Sequence, residues 1–178
     1  MRKLTVAPGR LAVGAGLAVA VALCGVGGWS YAQARGDDSL AYGRARDAAL
    51  ADGRTGIAAL STLDASTLEK AKAGARKWTA VTTGALRTEI ERVEPATGPS
   101  SRGVVTDAAV TALDDRAGTA KVIATVRIDI TSKGATAPST DRKRLEAVLA
   151  RESDGSWKIK ALNAVPVTEP DGASGENG

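Results

Sequence analysis

The sequence predicts an α+β domain, helices first and a four-stranded antiparallel sheet after, carried behind one membrane-spanning helix. Three observations predict it. Leu11 to Ala34 contains no charged residue. From about Ser39 to Val93 the apolar residues recur at helical spacing, and from about Val104 to Val165 they alternate with polar ones. Runs of helices followed by runs of strands are the signature of α+β packing, with the helices on one face of the sheet. At 178 residues the chain has room for one domain and an appendage.

The uncharged run exceeds the about 20 residues a helix needs to cross the hydrocarbon core. Arg10 and Arg35 bound it, and Trp29 and Tyr31 lie near its C-terminal end, where interfacial aromatics belong. Arg2, Lys3 and Arg10 precede it, while the remaining Lys and Arg nearly balance the 20 Asp and Glu, so the net charge of +4 is mostly an orientation signal. Residues 1–10 are thus expected in the cytoplasm, 11–34 in the cell membrane as a single pass, 35–165 outside as the folded domain, and 166–178 as a disordered tail. Two other readings stay open. Ala32-Gln33-Ala34 fits a signal-peptide cleavage pattern, and Val21-Ala22-Leu23-Cys24 loosely fits a lipobox, although Leu23 is bulky where a small residue is wanted. All of them put the domain outside the cytoplasm. Ala12, Gly16, Ala20, Cys24 and Gly28 recur every four residues, a stripe of small side chains on which another membrane helix can pack.

In the folded part, Asp37, Asp38 or Ser39 can cap a helix that runs to about Thr62 with Leu40, Ala45, Ala48, Ala49, Ile57, Leu60 and Leu63 on its apolar face. Gly53 and Gly56 weaken it by about 1 kcal/mol each relative to alanine. A second helix is expected over Thr67–Lys77. A third is expected over Trp78–Val93, burying Val81, Ala85, Leu86, Ile90 and Val93. Pro95 to Arg102 is a loop. Strands follow at Val104–Leu113, Ala120–Thr131, Arg142–Glu152 and Trp157–Val165. Val122, Ala124, Val126, Ile128 and Ile130 share one face of the second strand. Arg142–Glu152 also has helical composition; the strand is preferred because Ser153-Asp154-Gly155 and the Trp157 strand need a partner. Alanine is abundant and Phe absent, so Trp78 and Trp157 are expected as large core anchors, with Val126, Ile128, Leu145 and Ile159.

Histidine is absent and Cys24 is the one cysteine. This removes a His-based triad, a His or Cys zinc site and an internal disulfide from consideration. No cofactor or metal is expected. The clusters Lys70, Lys72, Arg76, Lys77 and Arg142, Lys143, Arg144 are expected to be solvated faces, and no nucleic-acid partner follows from them.

Ala45-Arg-Asp-Ala-Ala-Leu-Ala51, then Leu60-Ser-Thr-Leu-Asp64, then a four-stranded meander carrying Asp154-Gly-Ser-Trp-Lys-Ile159, follow the uncharged helix in that order. In this the chain resembles the Mce-associated (mammalian cell entry-associated) membrane proteins of actinobacteria, over about Leu11 to Val165. The resemblance implies a cone similar to the nuclear-transport-factor-like or ketosteroid-isomerase-like domains. It implies a single-pass envelope protein accompanying a lipid- or sterol-importing complex, with other envelope proteins, Mce-type transport proteins among them, as partners. It assigns no catalytic residues. The short, charged second helix lacks the aromatic residues expected near it, which bears on the depth of any cone pocket.

Cone folds also host enzymes, so that class needs its own test. An isomerase-type site wants a carboxylate base and a tyrosine or protonated acid converging in an apolar pocket. Tyr42 is the only tyrosine after the membrane run, and it falls early in the first helix. Asp129 falls on the strand face opposite Val126 and Ile128, and Asp114-Asp115 sits in a turn. The expected function is therefore a non-enzymatic accessory protein of the cell envelope. The alternative is a small-ligand module, secreted or anchored, that holds a lipid in its cone.

Overall fold

The computed structural model describes residues 38–132 and 137–166. The chain falls into two units, Met1–Arg44 and Ala45–Gly178. The described part of the first is the opening of helix α1 (Asp38–Leu60), where Leu40 and Tyr42 are exposed. The small-residue stripe Ala12, Gly16, Ala20, Cys24 and Gly28, the Leu11–Ala34 segment and residues 167–178 lie outside the described residues. Among the described residues no helix is long and apolar enough to cross a membrane.

The second unit continues α1 and adds α2 (Leu68–Ala80), α3 (Gly84–Arg92) and strands β1 (Ser100–Asp114), β2 (Thr119–Thr131), β3 (Ser139–Arg151) and β4 (Trp157–Ala164). The strands form one antiparallel sheet in the order β1-β2-β3-β4. Its inner face buries Ala120, Val122, Ala124 and Val126 of β2, Leu145, Ala147 and Leu149 of β3, and Trp157 and Ile159 of β4. Ile128 is half-buried against this core. Ala49 and Ile57 of α1 complete it.

Close approach explains the two glycines inside α1. A Cβ at Gly53 would stand 3.0 Å from the Val122 side chain, and one at Gly56 would stand 2.8 Å from Ile159 Cδ1. The helix propensity they forfeit is the condition for seating α1 directly on the sheet. The space between helix and sheet is occupied by side chains there.

Several expectations need correction. The second helix continues through Trp78 to Ala80, and Val81–Thr83 breaks the chain before α3, because Thr83 N–H donates to Ile159 O and Ile159 N–H donates to Val81 O, both at 3.0 Å. That segment therefore follows the edge of β4 and cannot stay helical. β1 begins at Ser100, since Ser101 exchanges two backbone hydrogen bonds with Leu63. α3 buries no residue fully, Ala85 is exposed, and Val93 is 66% exposed. In α1, Ala48 is exposed as well as Leu40. Trp78 is half-buried and stands outside the central core. The helices leave its indole at the junction of α1 and α2, away from the sheet.

A candidate docking groove between two helices

α2 and α3 leave an apolar groove of about 330 Å³ between them. Ala71, Ala75 and Trp78 form one wall, at the spacing that puts residues on a single helix face. Ile90, Val93, Pro95 and Ala96 form the other, and Leu63 closes one side. The groove exists because the α2 wall is mostly alanine. Trp78 contributes its ring, while its indole N–H donates to Ala59 O at 2.9 Å and Thr62 O at 3.0 Å. Its polar end is thus satisfied inside the protein.

The rim is charged and asymmetric. Lys72 and Arg76 stand along α2, Glu91 and Glu94 along the opposite side. Lys72 pairs with Glu69 at 3.2 Å and Glu91 with Arg87 at 2.9 Å. Arg76 and Glu94 form no ion pair among the described residues. A wider cleft of about 630 Å³ runs from Ser66 to Ser132, lined by Ser, Thr, Gly, Pro and Ala without a charged side chain. Lacking converging charges and large apolar side chains, it is the weaker candidate. Among the described residues no cluster of three potential metal ligands occurs.

The motifs singled out in the sequence serve the fold that frames this groove. Leu60 to Asp64 is a clasp between the end of α1 and β1. Leu63 N–H donates to Ser101 O at 2.9 Å, and Leu63 O accepts from Ser101 N–H at 2.8 Å. Gly103 N–H donates to Thr62 Oγ1 at 3.0 Å. Asp64 Oδ1 accepts from Ser66 N–H at 3.0 Å and from the Ser66 hydroxyl at 2.6 Å, and Lys70 stands 2.9 Å from its other oxygen. The Ser66 hydroxyl, then Lys70, hold this carboxyl well below the ordinary carboxylate range. A depressed pKa contributes stability that is present above the unfolded-state value and lost as pH falls through the folded one. Asp64→Asn is therefore expected to lower the melting temperature at pH 7, with the gap to the parent closing as pH drops below the ordinary carboxylate range. Melting curves of both proteins across that range check it, and a gap independent of pH contradicts it.

The Asp154–Ile159 motif is a turn and an anchor. Asp154 Oδ1 accepts from Ser156 N–H at 2.9 Å and from its hydroxyl at 2.7 Å, with Gly155 at φ 87°. Trp157 N–H then donates to Asp52 Oδ2 of α1 at 2.8 Å. Asp107 and Asp129 lie on the outer sheet face, Asp129 accepting from the Thr140 hydroxyl at 2.8 Å. In the sequence Val93 has the spacing of a buried stripe while Pro95 and Ala96 read as loop, so nothing there marks them as one open wall.

No protein-family model and no curated protein matches the sequence. Among solved structures the chain is similar to CagV, a VirB8 homologue of the T4SS of Helicobacter pylori strain 26695. The TM-score is 0.53 at 7% identity, over 68% of this chain and 99% of CagV. The fold is the one CagV carries. At that identity the likeness concerns the fold alone. A second similar structure is an Ntf2-like protein involved in plasmid conjugation, with a TM-score of 0.46 and 12% identity over 68% of this chain and 49% of the other.

Proposed function

We propose that this chain is a non-enzymatic, single-pass accessory protein of the cell envelope, whose α+β domain docks other envelope proteins through the α2–α3 groove. The observation that carries the reading is the groove: an open apolar trough with a basic and an acidic rim, on a domain whose helix–sheet interface is filled by Val122, Leu149 and Ile159 around Gly53 and Gly56. Such a trough suits an amphipathic helix laid in it, apolar face down. Glu94 is the single titratable residue among those that line the groove, so no second acid or base stands in that lining for proton transfer. The Leu11–Ala34 run supports the anchor.

We place the partners in an Mce-type lipid or sterol transport complex. The order of the Ala45–Ala51, Leu60–Asp64 and Asp154–Ile159 motifs supports that assignment. CagV, a VirB8 homologue of a T4SS, offers a second class of assembly on the same fold. Affinity purification of the full-length protein from its native membrane in mild detergent, with mass spectrometry, tells them apart. Mce-type proteins and their permease are expected; secretion-system subunits in their place move the assignment. Recovery alone, in the soluble fraction and starting at Arg35, contradicts the anchored accessory role. The apolar wall of the groove favours one second reading, a lipid acyl chain as ligand. A melting temperature that rises with fatty acids or sterols supports that reading, because a ligand bound only by the native state must raise stability.

A further inference from the structure

The outer face of the sheet, turned away from the helices, carries four arginines. Strand register sets Arg102 beside Asp129, Arg127 beside Arg142, and Thr125 beside Arg144. Alternation with the buried Ala124, Val126 and Leu145 places all four on the same outer face, and all four are exposed. Lys143 falls between two of them in sequence but on the opposite face, across from Val126, and pairs with Asp141 at 3.0 Å. The run Arg142-Lys143-Arg144, expected as one solvated cluster, is thus divided by the sheet.

Arg127 and Arg142 stand directly across from each other, and like charges directly opposite on neighbouring strands destabilise a sheet. Asp129, 3.7 Å from Arg127, is the one carboxylate among the described residues that pairs with any of the four. Arg102, Arg142 and Arg144 form no ion pair among the described residues. Next to Arg144, Asp107, Ala109, Ile123 and Thr125 line a notch of about 190 Å³. Opposed arginines work against folding, and three of the four form no ion pair among the described residues, which leaves the face open to a partner of opposite charge.

We propose that this arginine face docks an acidic segment of another protein, independently of the groove on the helical side. Guanidinium forks bind carboxylates through paired hydrogen bonds. Arg142 and Arg144, two residues apart on β3, are about 6.6 Å apart, which is also the spacing of alternate side chains in an extended segment. Carboxylates on alternate residues of such a segment meet the two arginines. Asp107, Asp129 and Glu146 share this face. They would repel a uniformly anionic surface such as a membrane, whereas a segment with separate carboxylates avoids them.

The test uses the full chain in uncharged detergent micelles and a fluorescent eight-residue peptide of alternating Glu and Val, with binding read by anisotropy at low salt. The double variant R142Q/R144Q is expected to bind about tenfold more weakly or worse. Lys143→Gln, on the same strand but the other face, is expected to bind like the parent. The double variant should melt no lower than the parent, because it removes a repulsion; a purely structural role for these arginines would lower its melting temperature and overturn the proposal. Absence of peptide binding by the parent, an equal loss in Lys143→Gln, or tighter binding of soluble short-chain phosphatidylglycerol than of the peptide would each overturn it as well.

Discussion

Trp157→Ala is expected to destabilise the domain by about 3–5 kcal/mol, the range for deleting a buried aromatic from a core. Trp157 is 4% exposed and packs in the cluster formed by β2, β3 and α1. Its surroundings join four parts of the chain. Its backbone N–H donates to Asp52 of α1, and Arg151 of β3 lies over its ring at 5.6 Å. Arg151 in turn donates to Asp115 Oδ1 at 2.7 Å, in the turn between β1 and β2. The core has few large side chains, so the neighbouring alanines cannot collapse into the void. At a few degrees per kcal/mol the melting temperature should fall by roughly 10 °C. A melting temperature within a degree or two of the parent would remove Trp157 from the core.

Gly103→Val is the second large effect. A Cβ at Gly103 would run into the Ser61 side chain and stand 3.1 Å from the Ser61 carbonyl carbon and oxygen. The obstruction is backbone, which cannot rotate away. Thr62 Oγ1 also accepts the Gly103 N–H, so any shift that relieves the clash stretches the clasp. Overpacking of this kind costs about 1–3 kcal/mol, with the clasp hydrogen bond adding about 1 kcal/mol more. The variant should also loosen the groove, because Leu63 is the next residue but one after Ser61 and forms its closed side. Equilibrium denaturation checks the stability; a midpoint equal to the parent's would mean that α1 and β1 are not held together at this point.

The fold was legible where one period dominated. β2 alternates from Lys121 to Ile130 with Ile123 the exception, and its buried residues follow from that alternation. β3 competed with a helix on composition, and the Asp-Gly turn decided it correctly, because two strands joined by a tight turn constrain each other. Boundaries failed where the tertiary structure overrode local preference. Val81–Thr83 leaves the helix because its backbone groups are taken by Ile159, a contact 77 positions away in no local pattern. Gly53 and Gly56 looked like weaknesses of α1 and turn out to be the points where it touches the sheet. The groove was least legible. Ile90 and Val93 look like core at helical spacing, and only the alanine-lined gap facing them on α2 leaves them on an open wall. The motifs behind the family resemblance are accounted for by the clasp and the Trp157 turn, so they speak for the fold more directly than for the partner.

The most direct measurement is the native-membrane purification repeated with Val93→Asp. Val93 is 66% exposed, so a charge there leaves folding nearly untouched, within about 0.5 kcal/mol for a surface site, while it ruins an apolar groove. The docking account predicts that the parent brings Mce-type transport proteins with it and that Val93→Asp, equally abundant and with an unchanged melting temperature, loses them. Equal recovery of the same partners by parent and variant would contradict it.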